Sequence, residues 1–203
     1  MIEFEWLLFL AQLPATPSSL RVNVWRRLRE AGSTSLQNGV WILPRNPENT
    51  IFMERLLVHI KQSGASGQIF LVQGIDQTIH EDILARFKAD RDQEYDEFLE
   101  QCEVFITELE KEIHHHKFTF AELEENEQNL HRLRKWIAKI HKRDFFKTKK
   151  SQDAVTAFQN CRQWLQNYTR QVYAKEGIET PPDADILSED TGSSGNETID
   201  DLD

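Results

Sequence analysis

Hydrophobic residues follow two different periods along this 203-residue chain. As far as about residue 75, short apolar runs alternate with amphipathic stretches, whereas from Asp76 onwards apolar residues recur every three or four positions. The first pattern indicates a mixture of strands and helices, and the second indicates long helices packed lengthwise. The chain is therefore predicted to be an α+β protein with one domain at residues 1–75 and a helical domain at residues 76–176.

The first region reads as a succession of short elements. The run FEWLLFLA, residues 4–11, predicts a strand that is buried on both faces. The following stretch ends at Gly32 and predicts an amphipathic helix. Its apolar face is expected to contain Leu20, Val24, Trp25, Leu28 and Ala31.

A hairpin and a second helix complete this region. Asn38-Gly39 stands between STSLQ and VWILP and favours a type I′ turn, which needs positive φ at both residues. A helix is predicted from about Pro47 to Gln62, and QIFLV, residues 68–72, is predicted to be the last strand. The order β-α-β-β-α-β is that of a ferredoxin-like domain.

The helical domain is predicted to be a long α-helical hairpin or a three-helix bundle, because three apolar stripes can be followed through it. They run from Ile83 to Ile113, from Leu123 to Ile140, and from Ala154 to Val172. Two of these stripes are interrupted by polar residues: Arg91 and Glu94 on the first, and Asn126 on the second. A polar group on a packing seam must be paired or hydrated. These residues form either a structural polar layer that sets the helix register or a small anion or effector site that contains Arg91.

Charge is distributed unevenly along the chain. The net charge is -10, yet residues 178–203 hold nine acids and no base, which leaves 25 acids and 24 bases in the remainder. Residues 177–203 are therefore predicted to be a disordered acidic tail. A tail of this charge could fold back over a basic segment and compete with an external polyanion.

The basic segment is HRLRKWIAKIHKRDFFKTKK, residues 131–150, with nine bases and one acid. If Leu130, Leu133, Ile137 and Ile140 face inwards, the cations lie around the outward arc of the helix. Such a surface suits phosphate groups, although acids on neighbouring helices could also neutralise it. The candidate nucleic-acid or anion ligands are Arg132, Arg134, Lys135, Lys139, Lys142 and Arg143, with a weaker cluster of Arg21, Arg26, Arg27 and Arg29 on the first helix.

The sequence favours a non-enzymatic protein without a cofactor. Catalytic signatures such as GxSxG, the P-loop and GxGxxG do not occur. One Glu112-x-x-His115 pattern at a helix end does not make a di-metal site, so no metal is expected. Cys102 and Cys161 lie on apolar stripes and are expected to be packed thiols in a reducing compartment. No apolar run is long enough for a membrane span, and a cytoplasmic location is predicted.

Several stretches resemble the N-terminal domain of the ChrB family of bacterial chromate-resistance regulators. They are WLLFLAQLP, RVNVWRRLREAG, LQNGVWILP, RDQEYDEF, FTFAELEENE and LHRLRKWIAKIHKRDFF, and LQNGVWILP and the RDFF ending are the most specific of them. The resemblance implies a cytoplasmic regulatory protein that binds operator DNA and responds to chromate, for which arginines would be natural ligands.

More distantly, residues 1–75 are similar to the ferredoxin-like domain of phenylacetate-operon repressors and of CRISPR spacer-acquisition nucleases. Gln12 stands where those nucleases place a metal-binding aspartate, so no nuclease activity is expected. The leading hypothesis is polyanion binding by the basic helical face. The alternatives are a protein-protein interaction module, such as a homodimer formed through the sheet edge, and a sensor of chromate or a similar oxyanion centred on Arg91.

Overall fold

The computed structural model describes residues 5–16 and 18–179, and the chain has the predicted α+β character. The predicted acidic tail falls almost wholly on residues 180–203, which lie outside the described residues. The described elements are β1 (Trp6–Gln12), α1 (Ser19–Glu30), β2 (Thr34–Gln37), β3 (Val40–Pro44), α2 (Pro47–Gln62), β4 (Ser66–Val72), α3 (Gln77–His114), α4 (Phe120–Lys142) and α5 (Lys149–Lys175).

The four strands form one antiparallel sheet in the order β2-β3-β1-β4. Alternate residues of β1 face opposite sides of this sheet. Leu7 and Phe9 pack with Val24 and Leu28 of α1 and with Met53 of α2 in one core cluster. The other face is covered mainly near Trp6, and Leu8 and Leu10 stay partly exposed, so burial on both faces holds only at one end of β1.

The predicted β2-β3 hairpin forms, but its turn is not type I′. Gly39 has φ +75°, whereas Asn38 does not have the positive φ that a type I′ turn requires. A register shift between Ser35 and Gln37 places a bulge in β2. Gly39 is required here for a second reason, because a Cβ at this position would come within 2.7 Å of the Ala11 carbonyl oxygen.

The helical region consists of three long helices, α3, α4 and α5, each of which packs against the other two. The side chains of Asp76 and Thr119 cap α3 and α4 by accepting hydrogen bonds from the amides of Ile79 and Glu122. Most residues of the three predicted apolar stripes supply the shared core, with Phe158 and Ile113 partly buried at its margin. Ile83 and Phe87, at the start of the first stripe, are buried in a separate cluster with Trp6. Periodicity therefore predicted correctly which side of each helix is buried.

The segment RDFF, residues 143–146, joins the helices to the sheet. Phe146 packs edge-on against Phe87 of α3, at 5.4 Å between ring centroids, and lies 6.0 Å from Trp6 of β1. Trp6 in turn stacks on Phe87. The preceding Asp144 accepts a hydrogen bond of 2.9 Å from the hydroxyl of Tyr95. A separate core cluster is thus shared by β1, α3 and the α4-α5 connection.

Of the helices in the described part of the chain, none combines the length and the apolar character needed to cross a bilayer.

Candidate polyanion surface and buried arginine cluster

The C-terminal half of α4 presents a row of cations to solvent. Leu130, Leu133, Ile137 and Ile140 are buried. At 100° per residue, four side chains fall within about 80° of arc on the opposite side of the helix. We call this row the basic face of α4, and it consists of the exposed residues Arg132, Lys135, Lys139 and Lys142. Arg134 is only partly exposed and lies on the flank of the helix.

Most of this face lacks a carboxylate partner. Lys142 pairs with Glu48 at the start of α2, at 3.3 Å, but both side chains are largely exposed and such a pair contributes little. Arg132 donates a hydrogen bond to the amide oxygen of Asn129. Among the described residues, no carboxylate lies within salt-bridge distance of Arg132, Lys135 or Lys139.

Acids of the ELEENE stretch do not neutralise the basic face. Glu122 pairs with Lys117 instead, at 3.8 Å. Glu124 and Glu125 are exposed near the start of α4, whereas the cations are gathered near its end. This separation agrees with the helix dipole, which favours acids at the N-terminus and bases at the C-terminus.

Arg143 does not belong to the basic face, and its predicted place on the outward arc is wrong. It caps the end of α4, and its side chain turns towards α3, where its Nε donates to Glu94 Oε2 at 2.9 Å. Gly32, at the end of α1, has φ +79°, and a Cβ there would lie 2.6 Å from the Cβ of Arg143. The ends of α1 and α4 therefore meet at this contact.

Helix α1 carries the second cluster of cations. Arg21 and Arg26 are exposed, Arg27 is partly exposed, and none of the three has a salt bridge to a described carboxylate. Trp25, which the sequence placed on the buried face, is 54% exposed. The reason is angular, since Val24 and Leu28 define the buried line and Trp25 lies about 100° from Val24 around the helix.

A buried arginine cluster lies where α1, α3 and α4 meet, and it consists of Arg29, Asp90, Arg91, Glu94 and Arg143. Arg91 is only 2% exposed. Its Nη1 lies 3.1 Å from Glu94 Oε2, the same oxygen that Arg143 contacts. Asp90 Oδ2 lies 3.5 Å from Arg29 and accepts a hydrogen bond of 2.9 Å from Thr34.

This cluster contains more cationic than anionic groups. Three guanidinium groups face two carboxylates, and Arg91 Nε finds no hydrogen-bond acceptor among the described residues. Burial lowers the pKa of Arg91, an effect that Glu94 opposes and that Arg143 and Arg29 reinforce. Sequence periodicity indicated Arg91 and Glu94, but Arg29 and Asp90 carry no such signal because they are brought together from different helices.

Asn126 belongs to a separate polar layer. Its Nδ2 donates to Glu112 Oε2 at 2.7 Å and to the Glu122 carbonyl at 2.9 Å. The hydroxyl of Tyr168, on α5, is hydrogen-bonded to the carbonyl of Lys117 and lies beside Glu112. Glu112 is 18 residues from Glu94 along α3, or roughly 27 Å at 1.5 Å per residue. The polar residues that interrupt the predicted apolar stripes therefore belong to two separate sites, and the site around Asn126 links all three helices.

The remaining candidates for chemistry lie in the bundle core or at a helix end. Cys102 and Cys161 are buried free thiols, and the Sγ of Cys161 donates to the Cys102 carbonyl at 3.6 Å. His114 and His115 are exposed at the end of α3. Within residues 5–16 and 18–179, no three His, Cys, Asp or Glu side chains are grouped so that they could hold a metal ion.

Comparison with known proteins gives one family and one curated relative. Residues 21–179 match the family described as "Protein ChrB, N-terminal". Protein ChrB from Cupriavidus metallidurans is 29% identical over 97 residues, an alignment that covers 48% of this chain and 29% of that protein. The match thus spans less than a third of the relative's length. No solved structure matches the chain.

Proposed function

We propose a function for this chain, which belongs to the ChrB N-terminal family. It is a non-enzymatic regulatory protein that is linked to chromate resistance and binds DNA or another polyanion. The binding surface is the basic face of α4. The observation that carries this proposal is the exposure of Arg132, Lys135 and Lys139 on one arc without a carboxylate partner among the described residues. Phosphates that approach this arc would release counterions without first displacing an internal ion pair.

Charge reversal tests the proposal. The triple variant Arg132→Glu, Lys135→Glu, Lys139→Glu should weaken binding to a 20-bp duplex, measured by fluorescence anisotropy at several salt concentrations. Each lost phosphate contact should lower the slope of log K against log salt by about 0.9 in magnitude, so that the full loss is about 2.7. Circular dichroism should remain that of the wild type because all three side chains are exposed.

A matched control separates a local surface from total charge. Lys61, Lys88 and Lys111 are exposed on α2 and α3, and their reversal to Glu changes the net charge by the same amount. This control should retain most of the affinity. Equal weakening by both triple variants would show that only net charge matters. Unchanged binding in the α4 variant would instead favour a protein-protein interaction module.

A second candidate function is the sensing of a small oxyanion by the buried arginine cluster. The excess of guanidinium groups over carboxylates and the unsatisfied Nε of Arg91 favour it. Chromate, or sulfate and molybdate as less oxidising analogues, should raise the melting temperature of the wild type but not of Arg91→Met. Arg170→Met, which changes an exposed arginine of α5, should keep the wild-type response. A response retained in Arg91→Met would exclude this site.

Homodimerisation is a further part of this proposal. Strand β4 is an edge of the sheet among the described strands, and Phe70 and Leu71 are exposed on it. Edge strands of this kind readily pair with a second chain. Sedimentation equilibrium should show a dimer that Leu71→Lys dissociates, and a wild-type monomer would exclude it.

We also infer a ferredoxin-like domain in the first 75 residues and a cytoplasmic location. The first inference is supported by the sheet order β2-β3-β1-β4, with α1 and α2 packed against one face. The second rests on the family alone.

A further inference from the structure

Helix α1 exposes a large aromatic ring among cations. Trp25 is 54% exposed and belongs to none of the three core clusters. The other four tryptophans of the chain are buried or partly buried. Val22, one helical turn before Trp25, is also exposed. Packing within the described chain therefore gives no reason for a tryptophan at this position.

The surroundings of Trp25 are strongly basic. Helix α1 contains four arginines and one acid, Glu30. Arg21 lies four residues before Trp25 and therefore on the same face of the helix, whereas Arg26, the next residue in sequence, lies about 100° further around it. Both arginines are exposed and lack a salt bridge to any described carboxylate.

This combination fits a ligand that has both negative charge and flat apolar faces. Single-stranded nucleic acid offers both, because its phosphates pair with arginines while its unpaired bases stack on aromatic rings. A duplex hides its base faces, and a polyanion without bases has none. The helix that carries this surface also meets α4, since the end of α1 lies against the end of α4 at the contact between Gly32 and Arg143.

We propose that Trp25, with Arg21 and Arg26, forms a stacking site for an unpaired base of a single-stranded nucleic acid segment. The proposal rests on the polyanion-binding function given above and adds to it a contact that depends on bases. The arginines hold the phosphates on either side of the base, and the indole ring covers one face of the base. Binding at this site therefore depends less steeply on salt than pure phosphate contact does.

The experiment compares three probes on the full chain: a 20-nucleotide oligo(dT), an abasic oligomer of the same length, and a 20-bp duplex. Trp25→Ala should weaken oligo(dT) binding by about 5- to 150-fold, the effect of losing one stacked base. Its affinity for the abasic oligomer should stay within about twofold of wild type. Trp25→Phe keeps an aromatic ring and should restore most of the lost affinity.

Val22→Ala is the matched control, since it removes exposed apolar surface from the same helix without removing an aromatic ring. It should leave oligo(dT) binding within about twofold of wild type. Equal wild-type affinity for oligo(dT) and the abasic oligomer would overturn the stacking site, and so would an unaffected Trp25→Ala.

The outcomes also separate this inference from the proposed function. If reversal of Arg132, Lys135 and Lys139 weakens duplex binding while Trp25→Ala changes nothing, the stacking site fails and the polyanion surface stands. If the wild type binds none of the three probes, the stacking site and the proposed nucleic-acid surface of α4 both fail. If Trp25→Ala dissociates a dimer in sedimentation without changing oligonucleotide affinity, the tryptophan serves a second copy of the chain, which also overturns the stacking site.

Discussion

Replacing Glu94 by glutamine should destabilise the protein strongly, because one carboxylate oxygen serves two arginines. Glu94 Oε2 lies 3.1 Å from Arg91 Nη1 and 2.9 Å from Arg143 Nε. Glutamine keeps the size of the side chain and removes its charge. The variant therefore leaves one guanidinium almost fully buried and a second one mostly buried, with no anion between them.

The expected loss follows from the burial of the three groups. Breaking a buried ion pair by removing one partner typically costs 3–5 kcal/mol. The side chains of Arg143 and Glu94 are 17% and 16% exposed, against 3% for Arg91, so water screens part of the effect. We expect the free energy of unfolding to fall by about 2–4 kcal/mol, which is a large share of the roughly 5–15 kcal/mol that is typical for a domain.

Urea unfolding followed by circular dichroism measures this loss. With a slope of about 2 kcal/mol per molar, in the middle of the typical range, the midpoint should fall by about 1–2 M while the slope stays constant. Glu97→Gln is the control, since Glu97 is exposed on α3 and has no salt bridge to a described cation. Glu97→Gln should lower the free energy of unfolding by less than about 0.5 kcal/mol.

A double variant tests the electrostatic reasoning itself. Arg91→Met with Glu94→Leu removes the almost fully buried guanidinium together with its carboxylate and fills a similar volume. It leaves only Arg143, which is 17% exposed, without its anion, and should recover part of the stability that Glu94→Gln loses. Sulfate should also stabilise Glu94→Gln more than it stabilises the wild type, because an anion can replace the missing carboxylate. A loss in Glu94→Gln no larger than in Glu97→Gln would refute the view that the shared carboxylate neutralises the cluster.

Two further predictions concern the joint between α1 and α4 and the polar layer of the bundle. Gly32→Ala should lower the free energy of unfolding in urea by about 2–4 kcal/mol, and Gly64→Ala should lower it by about 1–2 kcal/mol. Both glycines have positive φ, but only at Gly32 would the new Cβ meet Arg143; equal losses would contradict this. Burial raises the pKa of Glu112 above its unfolded value, so its contribution to stability is present below the unfolded pKa and is lost as pH rises through the folded pKa. Glu112→Gln can keep the hydrogen bond from Asn126. In this variant the urea midpoint should fall less between pH 4 and pH 8 than it does in the wild type, and an unchanged pH profile would contradict the prediction.

Local features account for the elements that the sequence predicted. The period of the apolar residues identified the buried side of α3, α4 and α5 because a helix repeats every 3.6 residues whatever it packs against. The limits of α2 at Pro47 and Gln62 agree with the predicted ones, and in the structure the side chain of Asn46 caps its start by accepting a hydrogen bond from the Asn49 amide. The hairpin formed as predicted, but its turn is not type I′. The register shift in β2 is a property of its pairing with β3, which local residue patterns do not give.

The candidate sites divide in the same way. That Arg132, Lys135 and Lys139 share one side of α4 follows from their spacing in the sequence. That they lack carboxylate partners among the described residues, while Lys142 and Arg143 have them, depends on where α2 and α3 place Glu48 and Glu94. An ion pair between two helices can be predicted only when the positions of both helices are known.

By itself, then, the sequence determined the α+β class and the buried stripe of each long helix, since these depend on short-range spacing and on the burial of apolar surface. Only the tertiary structure decided that Arg91 and Asn126 lie in separate sites, that Arg143 turns inwards, and that Trp25 is exposed. The physical reason is that charge pairing and solvent exposure are set by contacts between residues distant in the chain, about which periodicity carries no information.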